Sequence, residues 1–185
     1  MRTIKADILS WSKDFLELPN AALGGKPVCP YAKKARTSGL LDIIEVELGQ
    51  DLLPKIITQC NKFKNTGKEI CIIACPDLSV TPDELDNYVH AFNHVYVPQD
   101  IYLMGFHPGG YDEPVEFLEN SDWESDNEFL MVLIQSFEKL EQASASLEKI
   151  GFYESWDKDY YESTVTKRKT YRLSLIHISE PTRPY

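Results

Sequence analysis

Hydrophobic and polar positions alternate along the chain with two different periods, which indicates helices and strands in turn. Apolar residues that recur every three or four positions are typical of amphipathic helices, and apolar residues at every second position are typical of strands. The longer period predicts helices over residues 4–18, 50–65, 81–95 and 127–150. The shorter period predicts strands over residues 40–48, 69–75 and 100–106.

Two helices have recognisable start signals. Thr81 is a predicted N-cap, because a proline follows it and Glu84 stands at the capping-box position. Cys29 is a second predicted N-cap, with Pro30 as the first residue of a short helix that ends near Arg36. The sequence therefore predicts two helices, then three strands separated by helices.

This order of elements predicts a single α/β or α+β domain over residues 1–172. Strands separated by helices normally run parallel, so we expect about three mainly parallel strands with crossover helices. The helix over residues 127–150 is then a long C-terminal helix, and the aromatic residues 152–171 can add an edge strand. Residues 173–185 include "LSLIHISEPTR", which resembles a translated sequencing adapter. We treat that segment as a non-native tail, and expect the natural chain to continue past Arg172.

Composition narrows the function classes. The 185 residues are 43% hydrophobic and carry a net charge of -10 without a dense basic patch, which argues against nucleic acid and anionic membranes as partners. No apolar run is long enough to cross a bilayer, and the N-terminus lacks the apolar core of a signal peptide. We therefore expect a cytoplasmic protein whose four cysteines are free thiols.

Cys29, Cys75 and His107 are predicted to meet at one edge of the sheet. Ligands of open parallel sheets bind beyond the carboxyl ends of the strands, where Cys75 and His107 stand. Cys29 joins them if its helix packs antiparallel to the first strand. This convergence fails if the first strand is antiparallel to the others.

Cys29 has the best local environment for a reactive thiol. A helix N-terminus favours a thiolate through its unpaired N–H groups, and Lys33 and its neighbours add positive potential. We expect Cys29 to act as a nucleophile or a ligand, with Tyr31 or Lys33 orienting a bound molecule. The alternative is a small residue that begins a helix, since free cysteines are usually buried in the core.

His107 is the predicted catalytic partner of Cys29, as base or as imidazolium. Gly109 and Gly110 follow it and let the backbone approach a ligand closely, and Cys75 could line the same site. The alternative is a histidine that fixes the turn through a hydrogen bond. Cys75 is equally open to interpretation as a core residue.

Two further hypotheses belong to other function classes. The acidic residues 112–128 hold eight acids and no base, so a non-catalytic binding or assembly module could use them to meet a basic partner. A metal protein could use His107 with Cys29 or Cys75, or the pair His90 and His94 on one helix face. The commoner meaning of that pair is a solvated helix face, and the sequence assigns no metal ligand, cofactor or oligomeric state.

Two motifs together resemble the bacterial domain-of-unknown-function family 1415. They are "VCPYAKKA" at residues 28–35 and "FHP" at residues 106–108. The resemblance spans roughly residues 20–150 and implies that Cys29 and His107 share a site. It brings no reaction with it, because that family has no established activity. The chain departs from that family at Gly109 and Gly110.

Overall fold

The computed structural model describes residues 3–109 and 129–178, with side chains as far as residue 172. The α-helices are α1 Ile4–Trp11, α2 Ala32–Thr37, α3 Leu52–Phe63, α4 Pro82–Tyr96, α5 Phe137–Lys149, α6 Lys158–Tyr161 and α7 Lys167–Ile178. The strands are β1 Pro19–Asn20, β2 Lys26–Pro27, β3 Leu41–Glu45, β4 Ile70–Cys75, β5 Tyr102–Phe106 and β6 Leu130–Gln135. π-helical turns at Ser12–Leu16 and Glu162–Thr166 and 3₁₀ turns at Ala21–Leu23 and Val97–Gln99 complete the described elements.

The main sheet has four strands in the order β3-β4-β6-β5. Strands β3 and β4 are parallel, as predicted. Strand β6 lies between β4 and β5 and is antiparallel to both. The mixed α/β class is confirmed, but the prediction of a mainly parallel sheet is wrong, because an unpredicted strand separates β4 from β5.

The error lies in residues 127–150, which were predicted to form one helix. Leu130, Val132 and Ile134 are fully buried and alternate with less buried residues, as a strand requires. Ser136 then begins α5, since its hydroxyl oxygen accepts a hydrogen bond from the Lys139 N–H at 3.2 Å. The predicted long C-terminal helix is therefore a strand followed by a helix of 13 residues.

The aromatic region after α5 is helical in the structure, so the edge strand predicted there is wrong. Its rings pack on one another and on the loop around Leu23, whose side chain is buried against Phe152. The ammonium group of Lys26 donates to the carbonyl oxygens of Ile150 and Gly151. The aromatic segment therefore fixes the position of the β1–β2 hairpin. The sequence predicted a loop where this hairpin lies.

The core lies mainly between the sheet and the helices α3 and α4. Ile56 and Leu85, from these helices, are almost completely buried against Ile73 and Leu103 of the sheet. On the opposite face, Ile8 of α1 packs against a smaller cluster. Of the helices in the described ranges, none is both long and apolar enough for a membrane span.

Candidate functional site

The carboxyl ends of β3, β4 and β5 lie at one edge of the sheet, because all three strands run in the same direction. We call this the carboxyl edge. Cys75 pairs with Leu130 of β6, and Phe106 pairs with Met131. His107 and Cys75 therefore lie on opposite sides of Leu130. Their backbones are about 10 Å apart, which is two strand spacings.

The imidazole of His107 is held in one tautomer by the turn that follows β5. The backbone N–H of Gly109 donates to Nδ1 of His107 at 3.0 Å, so a neutral ring carries its hydrogen on Nε2. Nε2 is buried and has no hydrogen-bond partner among the described residues. His107 thus offers a preoriented donor at the carboxyl edge, and its accepting nitrogen is already used.

Cys75 points into the main core, on the face of the sheet that packs against α3 and α4. Its side chain is 2% exposed, and its thiol donates to the Asp77 carbonyl oxygen at 3.8 Å. Burial raises the pKa of the Cys75 thiol. The thiol is therefore protonated near neutral pH, and its hydrogen bond goes to a backbone carbonyl.

Carboxylates follow β3 and β4 at the carboxyl edge. The loop after β4 carries Asp77, whose pKa is lowered because it accepts hydrogen bonds from Ser79. Glu84 at the start of α4 also has a lowered pKa, because the Thr81 N–H and hydroxyl donate to it. Both side chains are charged at neutral pH. The acids between the end of β3 or β4 and the first turn of the next helix are Glu47, Asp51, Asp77, Asp83 and Glu84.

Cys29 belongs to the segment that leads into β3, whereas His107 follows β5. The backbone N–H of Cys29 donates to the Leu16 carbonyl at 3.0 Å, and its helix α2 leads directly into β3. His107 follows β5, and β3 and β5 are the two outer strands, three strand spacings or about 14 Å apart. The topology therefore brings Cys75 and His107 to a common edge, whereas Cys29 precedes the opposite outer strand.

Cys29 is not the N-cap of α2. The helix begins at Ala32, two residues later than predicted, and Tyr31 at the capping position makes no side-chain capping bond. The carbonyl of Cys29 instead closes a turn by accepting from the Ala32 N–H at 3.1 Å. The prediction placed the cap too early because Pro30 fits both a first helical position and a turn.

The thiol of Cys29 is a weak acid in this setting. Burial raises its pKa, and the negative charge of Glu17 adds to the increase. The backbone N–H groups of Tyr31 and Ala32 act in the opposite direction, since they stabilise the thiolate, but burial dominates. This balance disfavours the thiolate that the sequence predicted at neutral pH.

The segment around Cys29 is held by an ion pair that the sequence did not suggest. Arg36 donates from Nε and Nη2 to the two carboxylate oxygens of Glu17 at 2.7 and 2.8 Å. Ser12 donates its hydroxyl to the same carboxylate at 2.8 Å. The contact joins α2 to the turn after α1, and no local pattern reveals it because the partners are 19 residues apart.

The other predicted ligand-binding residues fall in three places. Tyr31 and Lys33 are exposed on the side of Cys29, and Gly109 is exposed beside His107. Gly110 and the acidic residues 112–128 lie outside the described residues. Within the described ranges, no group of three or more His, Cys, Asp and Glu residues is placed to hold a metal ion.

His90 and His94 form a hydrogen-bonded cluster with a distant residue. Their Nε2 atoms are 3.2 Å apart, and Nδ1 of His90 lies 2.6 Å from the hydroxyl of Tyr171. The sequence indicated the histidine pair but not its tyrosine, which is 81 residues away from His90.

The chain matches a known family of protein domains. The sequence model of a domain of unknown function, DUF6875, matches residues 5–127. No curated protein and no solved structure matches the chain. The matched range begins at the second residue of α1, contains β1 to β5 and stops before β6.

This match corrects the resemblance to family 1415. Residues 28–35 and 106–108, which carried that resemblance, both fall within the range matched by DUF6875. Two short motifs were insufficient to identify the family. The sharing of a site by Cys29 and His107, which the resemblance implied, therefore has no family support.

Proposed function

The chain belongs to DUF6875, a family described as a domain of unknown function, and we propose that it is a binding module for a small cationic ligand. The ligand lies at the carboxyl edge and accepts a hydrogen bond from Nε2–H of His107. The observation that carries this proposal is that Nε2 is buried and has no hydrogen-bond partner among the described residues, while Nδ1 is fixed by Gly109.

A buried donor without an acceptor is costly. Leaving such a group unpaired costs about 1–3 kcal/mol, and an acceptor on a ligand would recover that free energy. Most buried polar groups in folded proteins have a partner, so a buried group without one calls for an explanation, and a bound ligand is the one we propose for His107. A carbonyl or hydroxyl oxygen is the simplest ligand atom that accepts from Nε2–H.

The negative charge of the carboxyl edge favours a ligand that also carries a positively charged group. Asp77 and Glu84 remain ionised because hydrogen bonds lower their pKa values. Among the described residues, carboxylates outnumber lysines and arginines in the segments that follow β3 and β4 at this edge. An anionic ligand would be repelled, whereas an ammonium or guanidinium group would be attracted.

A thiol–imidazole reaction remains a prediction from the sequence that this geometry does not favour. A nucleophile and its base must lie within hydrogen-bond reach, but Cys29 precedes β3 and His107 follows β5, and these are the two outer strands. A base also needs a free nitrogen lone pair. Nδ1 of His107 already accepts from Gly109, and Nε2 carries the hydrogen.

The test observes the imidazole nitrogens of His107 directly by ¹H–¹⁵N NMR. The probes are small amides that bear an ammonium group, each paired with a matching amide that bears a carboxylate. We expect the ammonium amides to shift the Nε2 resonance of His107 in a saturable manner, and the carboxylate amides to leave it unchanged.

Two variants complete the test. His107→Phe keeps a planar ring but removes both nitrogens, and it should abolish binding of the ammonium amides. His94→Phe, on the exposed face of α4, is the matched control and should bind them like the unchanged protein. Equal binding of carboxylate amides, binding that survives in His107→Phe, or no binding by any probe would each refute the proposal.

A further inference from the structure

His90 and His94 stand one turn apart on α4, and both side chains are exposed to solvent. Their rings are nearly perpendicular, with an angle of 88° and centroids 4.6 Å apart. Their Nε2 atoms point at each other across 3.2 Å. This convergence is independent of the carboxyl edge and of the function proposed for it.

The distance between the two nitrogens suits a shared metal ion. Imidazole nitrogens bind zinc at about 2.0–2.1 Å, so two of them on one ion are about 2.9–3.4 Å apart for bond angles between 90° and 109°. The observed 3.2 Å lies within that interval. We propose that His90 and His94 bind a divalent transition-metal ion through their Nε2 atoms.

Tyr171 positions the first of these ligands. Its hydroxyl lies 2.6 Å from Nδ1 of His90, on the other side of the ring from Nε2. When His90 donates Nδ1–H to this oxygen, its Nε2 lone pair is free for a metal, as in the outer shells of known histidine sites. The tyrosine is therefore a positioning residue, and it is not itself a ligand.

The ligand set defines the class of ion. Imidazole nitrogens suit Ni²⁺, Cu²⁺ and Zn²⁺, whereas Mg²⁺ and Ca²⁺ prefer oxygen ligands. Two protein nitrogens leave further coordination positions to water, since no third metal-ligating side chain of the described residues joins this pair. The ion replaces the hydrogen shared between the two Nε2 atoms, and a neutral His94 then carries that hydrogen on its Nδ1.

The test is a calorimetric titration of the full chain with Ni²⁺ in a buffer that does not coordinate metals. We expect one ion per chain, and loss of that binding in His90→Asn and in His94→Asn. The variant His177→Asn is the matched control, because it removes the remaining histidine outside both proposed sites and should leave the affinity unchanged. Tyr171→Phe should weaken binding roughly tenfold or more while its circular dichroism stays unchanged.

A second measurement locates the ion without any substitution. Paramagnetic Cu²⁺ should broaden the backbone NMR signals of residues 86–98 and of Tyr171 before those of other segments. Broadening centred on Cys29 or on His107 would overturn the proposal. Equal affinity of the unchanged protein and His94→Asn, or no binding at millimolar Ni²⁺, would do the same.

Discussion

The side chain of Asn93 pairs with both backbone groups of Leu103. Its Nδ2 donates to the Leu103 carbonyl at 3.0 Å, and the Leu103 N–H donates to its Oδ1 at 2.8 Å. Leu103 lies in β5, an outer strand of the sheet, and Asn93 lies in α4 and is 1% exposed. The Asn93 amide therefore makes the two hydrogen bonds that a further neighbouring strand would otherwise make with the backbone of Leu103.

Asn93→Ala should lower the free energy of unfolding by about 2–4 kcal/mol, because it leaves two buried backbone groups unpaired. Urea denaturation measures this change. Asn87→Ala, on the exposed face of the same helix, is the matched control and should change stability by less than about 0.5 kcal/mol. A loss for Asn93→Ala no larger than that of the control would contradict the role of the amide.

Gly105 permits close packing of α4 on β5. A Cβ atom at this position would lie 3.1 Å from Cγ of Leu85 and 3.2 Å from Cγ2 of Val89. Gly105→Ala should therefore destabilise the protein by about 1–3 kcal/mol through overpacking.

The partner substitution Leu85→Ala tests whether overpacking is the cause. It creates space beside residue 105, so the double variant should lose less stability than the two single losses added together. Thermal or urea unfolding of the four proteins measures the coupling. Additive losses would show that the alanine acts through some other contact.

The sequence predicted elements with strong local signals. The capping box of Thr81 and Glu84 is present at the start of α4, and β4 is buried on both faces. The prediction from sequence failed at residues 130–135, where Leu130, Leu133 and Ile134 also fit a helical period. A short apolar run satisfies both periods, and only pairing with distant strands decides between them.

Prediction of the site was limited in the same way. His107 was placed correctly at a strand end of the carboxyl edge, because local turn residues mark that position. The separation between the segments of Cys29 and His107 depends on the order of the strands. Because β6 lies between β4 and β5, β5 is one strand further from β3 than the sequence predicted. Contacts such as Tyr171 with His90 have no local signature at all.

The ion pair of Glu17 and Arg36 should make stability depend on pH. The hydrogen bond from Arg36 lowers the pKa of Glu17 below its usual 4.5, and Ser12 lowers it further. The folded state therefore gains stability above pH 4.5 and loses it as the pH falls through the lowered value. Glu17→Gln should cost roughly 1–3 kcal/mol at pH 7 and flatten this part of the pH profile.

Urea denaturation at several pH values between 7 and 3 measures this dependence. Glu162→Gln, a half-exposed acid whose ion pair with Lys158 spans 3.9 Å, is the control and should preserve the profile of the unchanged protein. If both variants lose the same stability at every pH, the pair with Arg36 has no special role.

The thiol of Cys29 should react slowly with alkylating reagents near neutral pH. Because burial raises its pKa, the midpoint of the rate against pH should lie above the ordinary value of 9.0. Cys60 and Cys71, whose pKa values burial raises to about 12, should remain unlabelled in the folded protein. Mass spectrometry of labelled peptides separates the cysteines.

Removal of the neighbouring charge should shift that midpoint. Glu17→Gln eliminates a negative charge that disfavours the thiolate, so the midpoint should move to lower pH. The rate at the alkaline plateau measures how accessible the Cys29 thiol is. A loosened segment would change this plateau rate, whereas the loss of the charge changes the midpoint. A midpoint below 9.0 in the unchanged protein would instead identify an activated thiol.

The position of β6 also constrains how the chain can assemble during synthesis. The strand that joins β4 to β5 leaves the ribosome after both of them and lies beyond residue 127, where the family match ends. Until it emerges, β5 has no neighbour from the described sheet and β4 presents an open, apolar edge. A fragment cut at the family boundary would carry that exposed edge permanently, so an expression fragment should extend past β6 and α5.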